Sequence, residues 1–154
     1  MVEWQRDDGS IISTDPGRLD IDLVHRELAT SYWAADVARE TVERSIAGSI
    51  VFGVYDGQRQ VGFARVVTDR ATFAWVCDVF VVEPYRGRRL GVWLMECVVA
   101  HPELQGLRRW LLATRDAHDL YRKVGFEALP EPARFMIRRG DPGHGSREQE
   151  TAAR

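Results

Sequence analysis

The chain has 154 residues, a formal net charge of −2, 45% apolar and 29% charged residues. That balance fits one soluble domain with a single core. It offers no basic face for a nucleic acid, and no apolar run approaches the roughly 18 residues that span a bilayer.

Met1 to Ser10 carries Glu3, Asp7 and Asp8 and lacks the apolar stretch of a secretory signal. The first strand is predicted over Ile11 to Thr14, ended by Asp15-Pro16-Gly17. From Leu19 the period becomes helical, with Leu23, Leu28, Tyr32 and Trp33 on one face. A second helix is predicted from a cap at Asp36 through Val37, Val42 and Ile46 to Gly48. Ser49–Tyr55, Gln60–Thr68 and Ala71–Val82 follow as a meander of three strands, joined at Asp56-Gly57 and Asp69-Arg70.

Pro84 ends the third of these strands, and a Gly/Arg-rich loop leads into an apolar helix, Leu90 to Ala100, closed by Pro102. Arg109–Ala113 reads as a strand. A helix capped by Asp116 runs to Val124, with Gly125 as its C-terminal glycine. Phe126–Leu129 and Arg134–Ile137 read as two last strands. The expectation is an α+β fold: a mixed, mainly antiparallel central sheet flanked by helices, in one domain over residues 1–139. Residues 140–154 turn to Gly, Pro, Ser, Glu and Arg and are expected to be a disordered tail. Cys77 and Cys97 stand far apart in apolar runs, as buried free thiols of a reducing cytoplasm would.

The chemistry concentrates at the strand–loop–helix step from Val79 to Gly91. A helix N-terminus presents unpaired N–H groups and partial positive charge, glycine lets the backbone approach an anion, and Arg86, Arg88 and Arg89 add charge there. A phosphate or pyrophosphate cradle competes here with a solvated basic turn, and the strand–loop–helix context favours the cradle. No His/Cys cluster has metal-ligand spacing and no G-x-S-x-G is present.

Two segments together resemble the GCN5-related N-acetyltransferase (GNAT) superfamily. Arg86-Gly87-Arg88-Arg89-Leu90-Gly91, after Pro84-Tyr85, is similar to the family's pyrophosphate motif. Ala117, Leu120, Tyr121, Gly125 and Phe126 match its later segment, and the order of elements extends the likeness over Ile11 to Ile137. The chain departs at Arg89, where the motif has a glycine, and at Thr114, where an Asn is frequent. Asp116 is the neighbour that could meet the coenzyme in place of that Asn.

The resemblance implies an acetyl-CoA-dependent N-acetyltransferase acting by direct attack of an amine, with no metal. Backbone groups of Val79, Phe80 and Val81 would meet the pantetheine, and those of Arg86 to Gly91 the pyrophosphate. Tyr121 would protonate the leaving thiolate, unless it only packs its helix on the sheet. Asp78, expected on the face opposite Cys77 and Val79, is the first candidate base, with Glu83, His118 or a water relay as rivals. Tyr32 and Trp33 would wall the acceptor pocket, unless they are plain core, and Asp36 or Glu40 would attract a cationic amine.

The acceptor would be a small-molecule or peptide amine, with neither nucleic acid nor membrane as partner, and a homodimer is possible by analogy. The alternative is a non-catalytic acyl-CoA-binding sensor or interaction module. A nucleic-acid-binding domain using the arginine loop is the third reading, against which the charge argues.

Overall fold

The computed structural model describes residues 1–140. The expected tail therefore lies, from residue 141 onward, outside the described residues. Six strands form one sheet in chain order: β1 (Glu3–Gln5), β2 (Ser10–Ser13), β3 (Ile50–Asp56), β4 (Arg59–Thr68), β5 (Phe73–Val81) and β6 (Arg109–Leu111). Neighbours from β1 to β5 are antiparallel, and β6 joins β5 in parallel. Four helices accompany the sheet: α1 (Ile21–Ala29), α2 (Arg39–Ala47), α3 (Leu90–Val99) and α4 (His118–Arg122). This is the mixed, mainly antiparallel single-domain fold expected from the sequence.

Burial explains the patterns. β3 is buried along Ile50 to Tyr55, so both faces of the central sheet are covered and no polar alternation survives. α1 turns Leu23, Val24 and Leu28 inward, and α2 turns Val42 and Ile46 inward at helical spacing. α3 is buried on most sides, at Leu90, Val92, Leu94, Met95, Cys97 and Val98, and packs against β3 and β5.

The bend in β5 positions the site. Phe63 pairs with Phe80 and Arg65 with Cys77, so Asp78 and Val79 together face Ala64. This is a β-bulge, and Asp78 adopts a left-handed φ of 55° there, which Asp tolerates better than most residues. Asp78 therefore does not follow the simple alternation expected between Cys77 and Val79. Among the described residues β6 pairs only with Phe73–Trp75, and no strand pairs with the β6 side of Val79–Val81.

Several local expectations are corrected. β1 has no counterpart among the predicted elements; its three residues are too short a run to carry a periodic signal. α1 ends at Ala29, where Thr30 bonds back to the Arg26 carbonyl, so Tyr32 and Trp33 lie beyond the helix. Asp36 does not cap α2; it has φ 58°, and the helix starts at Arg39 with no side-chain cap. Asp116 does not cap α4 either: the Thr114 hydroxyl accepts from Ala117 N–H at 3.0 Å, and the helix ends at Arg122 rather than Val124. Gly125 does have the left-handed φ, 94°.

The two last strands are absent from the described residues. Pro132–Arg134 is a 3₁₀ turn, and Leu129, Phe135, Met136 and Ile137 are exposed. Among the described residues neither segment pairs with the sheet, and Pro130 and Pro132 lie in the turn between the two.

Candidate active site

The loop from Glu83 to Arg89 is built by its own backbone. Glu83–Tyr85 forms a 3₁₀ turn, and Arg86 N–H closes on the Glu83 carbonyl at 3.1 Å. The Arg86 Nε then donates to the Val81 carbonyl at 3.0 Å, tying the loop to the end of β5. Gly87 has φ 81°, and a Cβ there would meet nothing within 4 Å. Arg89 has φ 60° and ψ 20°, the left-handed region, at the position where the resembled motif has glycine. A non-glycine residue there costs about 1–2 kcal/mol, so the loop holds a strained shape.

That shape leaves donors free. Trp93 N–H makes the first backbone bond into α3, to the Arg89 carbonyl at 3.1 Å, and no side chain caps the helix. Among the described residues, the amides from Gly87 to Val92 meet no protein acceptor. Arg86, Arg88 and Arg89 are exposed around them, with Arg88 stacked 4.8 Å from the Tyr85 ring. Open space, free N–H groups and positive charge together fit a diphosphate.

The end of β5 continues this surface. Val82 N–H bonds to Val61 at 2.9 Å, and a Cβ on Gly62 would lie 3.0 Å from the Phe80 carbonyl. The Phe80 carbonyl thus points to β4. Val81 directs its carbonyl away from β4, where Arg86 takes it. The Val81 carbonyl thus lies on the open side of β5 and the Phe80 carbonyl on the β4 side.

α4 stands next to the loop. Gly91 is close enough to Leu120 that a Cβ would lie 3.7 Å from its side chain. Tyr121 follows, 9% exposed, its ring edge-on to Phe126 at 6.0 Å. Burial, with lesser contributions from Tyr32 and Asp116, pushes its phenol up to about 12. Like any tyrosine it is protonated in the neutral range, and its burial extends that range upward. Asp116 is exposed, beside the Arg115 guanidinium at 3.9 Å, and His118 is exposed on α4. Glu83 is exposed at the end of β5.

The segment between α1 and α2 reaches β5 and the loop that follows β6. Trp33 Nε1 donates to Asp78 Oδ1 at 3.2 Å, and Arg115 N–H donates to the Tyr32 hydroxyl at 2.9 Å. The Arg115 guanidinium also lies 3.9 Å from the Tyr32 ring, and Tyr32 meets Trp33 edge-to-face at 5.0 Å. Asp78 is nearly buried, at 11% side-chain exposure, with Arg65 Nε on its other oxygen at 2.8 Å. Arg65 Nη1 reaches Ser49 at 3.0 Å. Asp36 and Glu40 are exposed.

Sequence reasoning missed Arg65, Arg115 and Ser49. A lone arginine inside the apolar run of β4 was the available signal, since a buried guanidinium demands a partner. Burial pushes Cys77 up to about 11 and Cys97 up to about 12, so neither thiol is poised as a nucleophile. Among the described residues no three His, Cys, Asp or Glu side chains could hold a metal ion, and no helix is long and apolar enough to cross a membrane. A groove of about 740 Å³ lies between β6 and residues 124–135, but it includes neither the loop nor Tyr121.

The sequence model of the acetyltransferase (GNAT) domain matches residues 47–128. The chain is 29% identical over 143 residues to a candidate acetyltransferase of Gibberella zeae, covering 78% of this chain and 79% of that one. A Xanthomonas campestris protein belonging to the GNAT family, known from its crystal structure, is 48% identical. It superposes with a TM-score of 0.84 over 89% of this chain and 96% of its own. A Clostridium acetobutylicum protein solved with acetyl-CoA is 10% identical, with a TM-score of 0.64 over 88% and 97% of the two chains, a likeness of fold alone.

Proposed function

The chain belongs to the acetyltransferase (GNAT) domain family, and from that premise we propose that it transfers an acetyl group from acetyl-CoA to a primary amine by direct attack. The observation that carries the reading is the row of amides from Gly87 to Val92 that meet no acceptor among the described residues, on a helix whose Gly91 packs against Leu120, the neighbour of the buried Tyr121.

Acetyl-CoA supplies the acyl group as an activated thioester when bound. The loop amides and Arg86, Arg88 and Arg89 hold the diphosphate, and Val79 and Val81 line the pantetheine arm. Tyr121, a phenol protonated at neutral pH, delivers a proton to the departing sulfur. Tyr32 and Trp33 wall the acceptor side, where Asp78, hydrogen-bonded to Trp33, receives the amine proton, directly or through water. Asp116 stands close enough to Tyr121 to affect its proton affinity and borders the coenzyme. The domain proper is assigned to residues 1–139.

The test is thiol release from acetyl-CoA in the presence of a panel of polyamines, amino acids, aminoglycosides and peptide N-termini. Release above the amine-free rate, with a new acetamide in the product, is the expected result. Binding of acetyl-CoA with no release on any amine would support a non-catalytic sensor instead.

A further inference from the structure

We infer that Arg6, in the turn between β1 and β2, is a positioning residue for the diphosphate loop, 82 residues away in sequence. The inference rests on reading residues 86–91 as that loop.

The hairpin fixes where Arg6 starts. Its N–H donates to Ser10 at 3.0 Å and its carbonyl accepts from Gly9 N–H at 2.9 Å, with Gly9 at φ 84°. Its guanidinium is then held on three sides. Asp8 forms an ion pair with it, and Asp8 is itself anchored by Ser10 N–H at 3.0 Å. The Trp93 ring, in the first turn of α3, lies 5.2 Å from the guanidinium carbon. Nη1 and Nη2 both approach the Arg88 carbonyl at 3.3 Å. Among the described residues no other side chain hydrogen-bonds to the backbone of residues 87–91.

The consequence follows from peptide geometry. In a planar trans peptide the C=O and the next N–H point in opposite directions. Clamping the Arg88 carbonyl toward Arg6 therefore aims the Arg89 N–H to the other side, where the free amides face the anion. Arg89 sits in a backbone region that side chains disfavour, so the loop needs an outside clamp to stay in this shape. Glycine, the residue the resembled motif carries there, would need none. With Asp8 already paired to it, Arg6 acts through Arg88 and Arg89 rather than on the coenzyme.

The test is titration of CoA and of pantetheine, which lacks the diphosphate, into the full chain and its Arg6→Met and Arg6→Lys variants, with melting curves alongside. Methionine keeps the packing on Trp93 and removes the donor; lysine restores a donor. The expected result is a fall in CoA affinity of about tenfold in Arg6→Met, as one charge-assisted bond implies. Pantetheine affinity and melting temperature stay near those of the unaltered chain, and Arg6→Lys recovers most of the CoA affinity. Equal CoA affinity in all three proteins, or parallel falls for CoA and pantetheine, would overturn the role of Arg6. No CoA binding by the unaltered chain would overturn the reading of the loop itself.

Discussion

Trp33 and Asp78, 45 residues apart, are joined by a hydrogen bond of 3.2 Å from the indole Nε1 to the carboxylate Oδ1. Arg65 holds the other oxygen at 2.8 Å, so this nearly buried carboxylate is engaged on both sides. Removing it strands a half-buried guanidinium that keeps, among the described residues, Ser49 alone. Asp78→Ala is expected to lower stability by about 2 kcal/mol, below a fully buried pair because both groups retain some solvent. Chemical denaturation measures it. Asp78→Asn keeps the shape and removes the base. A fall in turnover of about 100-fold or more, with folding intact, would assign Asp78 the amine proton; near-normal turnover would leave it as the strut between Trp33 and Arg65.

Tyr121 offers the sharper kinetic test. Tyr121→Phe is expected to reduce kcat by about 10²–10⁴-fold while leaving the dissociation constant for CoA nearly unchanged. The raised phenol adds a pH signature. An acid held at about 12 keeps its proton until pH approaches that value, so kcat should show no descending limb near pH 10, the ordinary tyrosine value. A limb at about pH 10 that vanishes in Tyr121→Phe would contradict the burial argument.

Tyr55 carries a hydroxyl that is buried with no partner among the described residues, above Gly53 and beneath the Arg18 guanidinium at 4.3 Å. An unpaired buried hydroxyl is a cost. Tyr55→Phe is expected to be neutral or to stabilise by about 1 kcal/mol. Gly53→Ala pushes a methyl into the Tyr55 ring and is expected to destabilise by about 1–3 kcal/mol. Paired melting curves check both.

His101 is 3% exposed, with its ring against Trp4 and Phe52 and its Nδ1 accepting from Glu103 N–H at 3.2 Å. Burial holds its pKa below the usual 6.5. The unfolded chain therefore takes up the proton first as pH falls. The stability from a neutral His101 is complete above about pH 6.5 and declines as pH drops from there toward the folded value. Denaturation midpoints between about pH 7 and 5 should fall in the unaltered chain and fall less in His101→Gln.

The parts legible in the sequence were those with strong punctuation. Pro84, the Gly/Arg run and Pro102 bracket α3, which begins at Leu90 as expected and ends one residue earlier, at Val99. The loop was visible because its physics is local: a strand end, a helix start, a glycine and three arginines. Asp78 was legible as a carboxylate on the last strand of the meander, but its partners were not, since Arg65 and Trp33 meet it only through the bulge in β5 and the segment after α1. Tyr32 and Trp33 extended an apolar period past the true end of α1, because periodicity does not register that Thr30 and Ser31 bond back to Arg26, Glu27 and Leu28. The expected strands over 126–129 and 134–137 had the composition of strands, but pairing is a tertiary property that composition does not contain.

Titration calorimetry with acetyl-CoA on the unaltered chain and on Arg86→Ala tests the central claim most directly. Arg86 both charges the loop and ties it to the Val81 carbonyl, so its removal should weaken binding at least about tenfold, about 1.4 kcal/mol. Saturable binding of that kind, weakened in the variant, is the result predicted. Absence of binding to the unaltered chain, or equal binding by both proteins, would contradict a coenzyme diphosphate seated on residues 86–91.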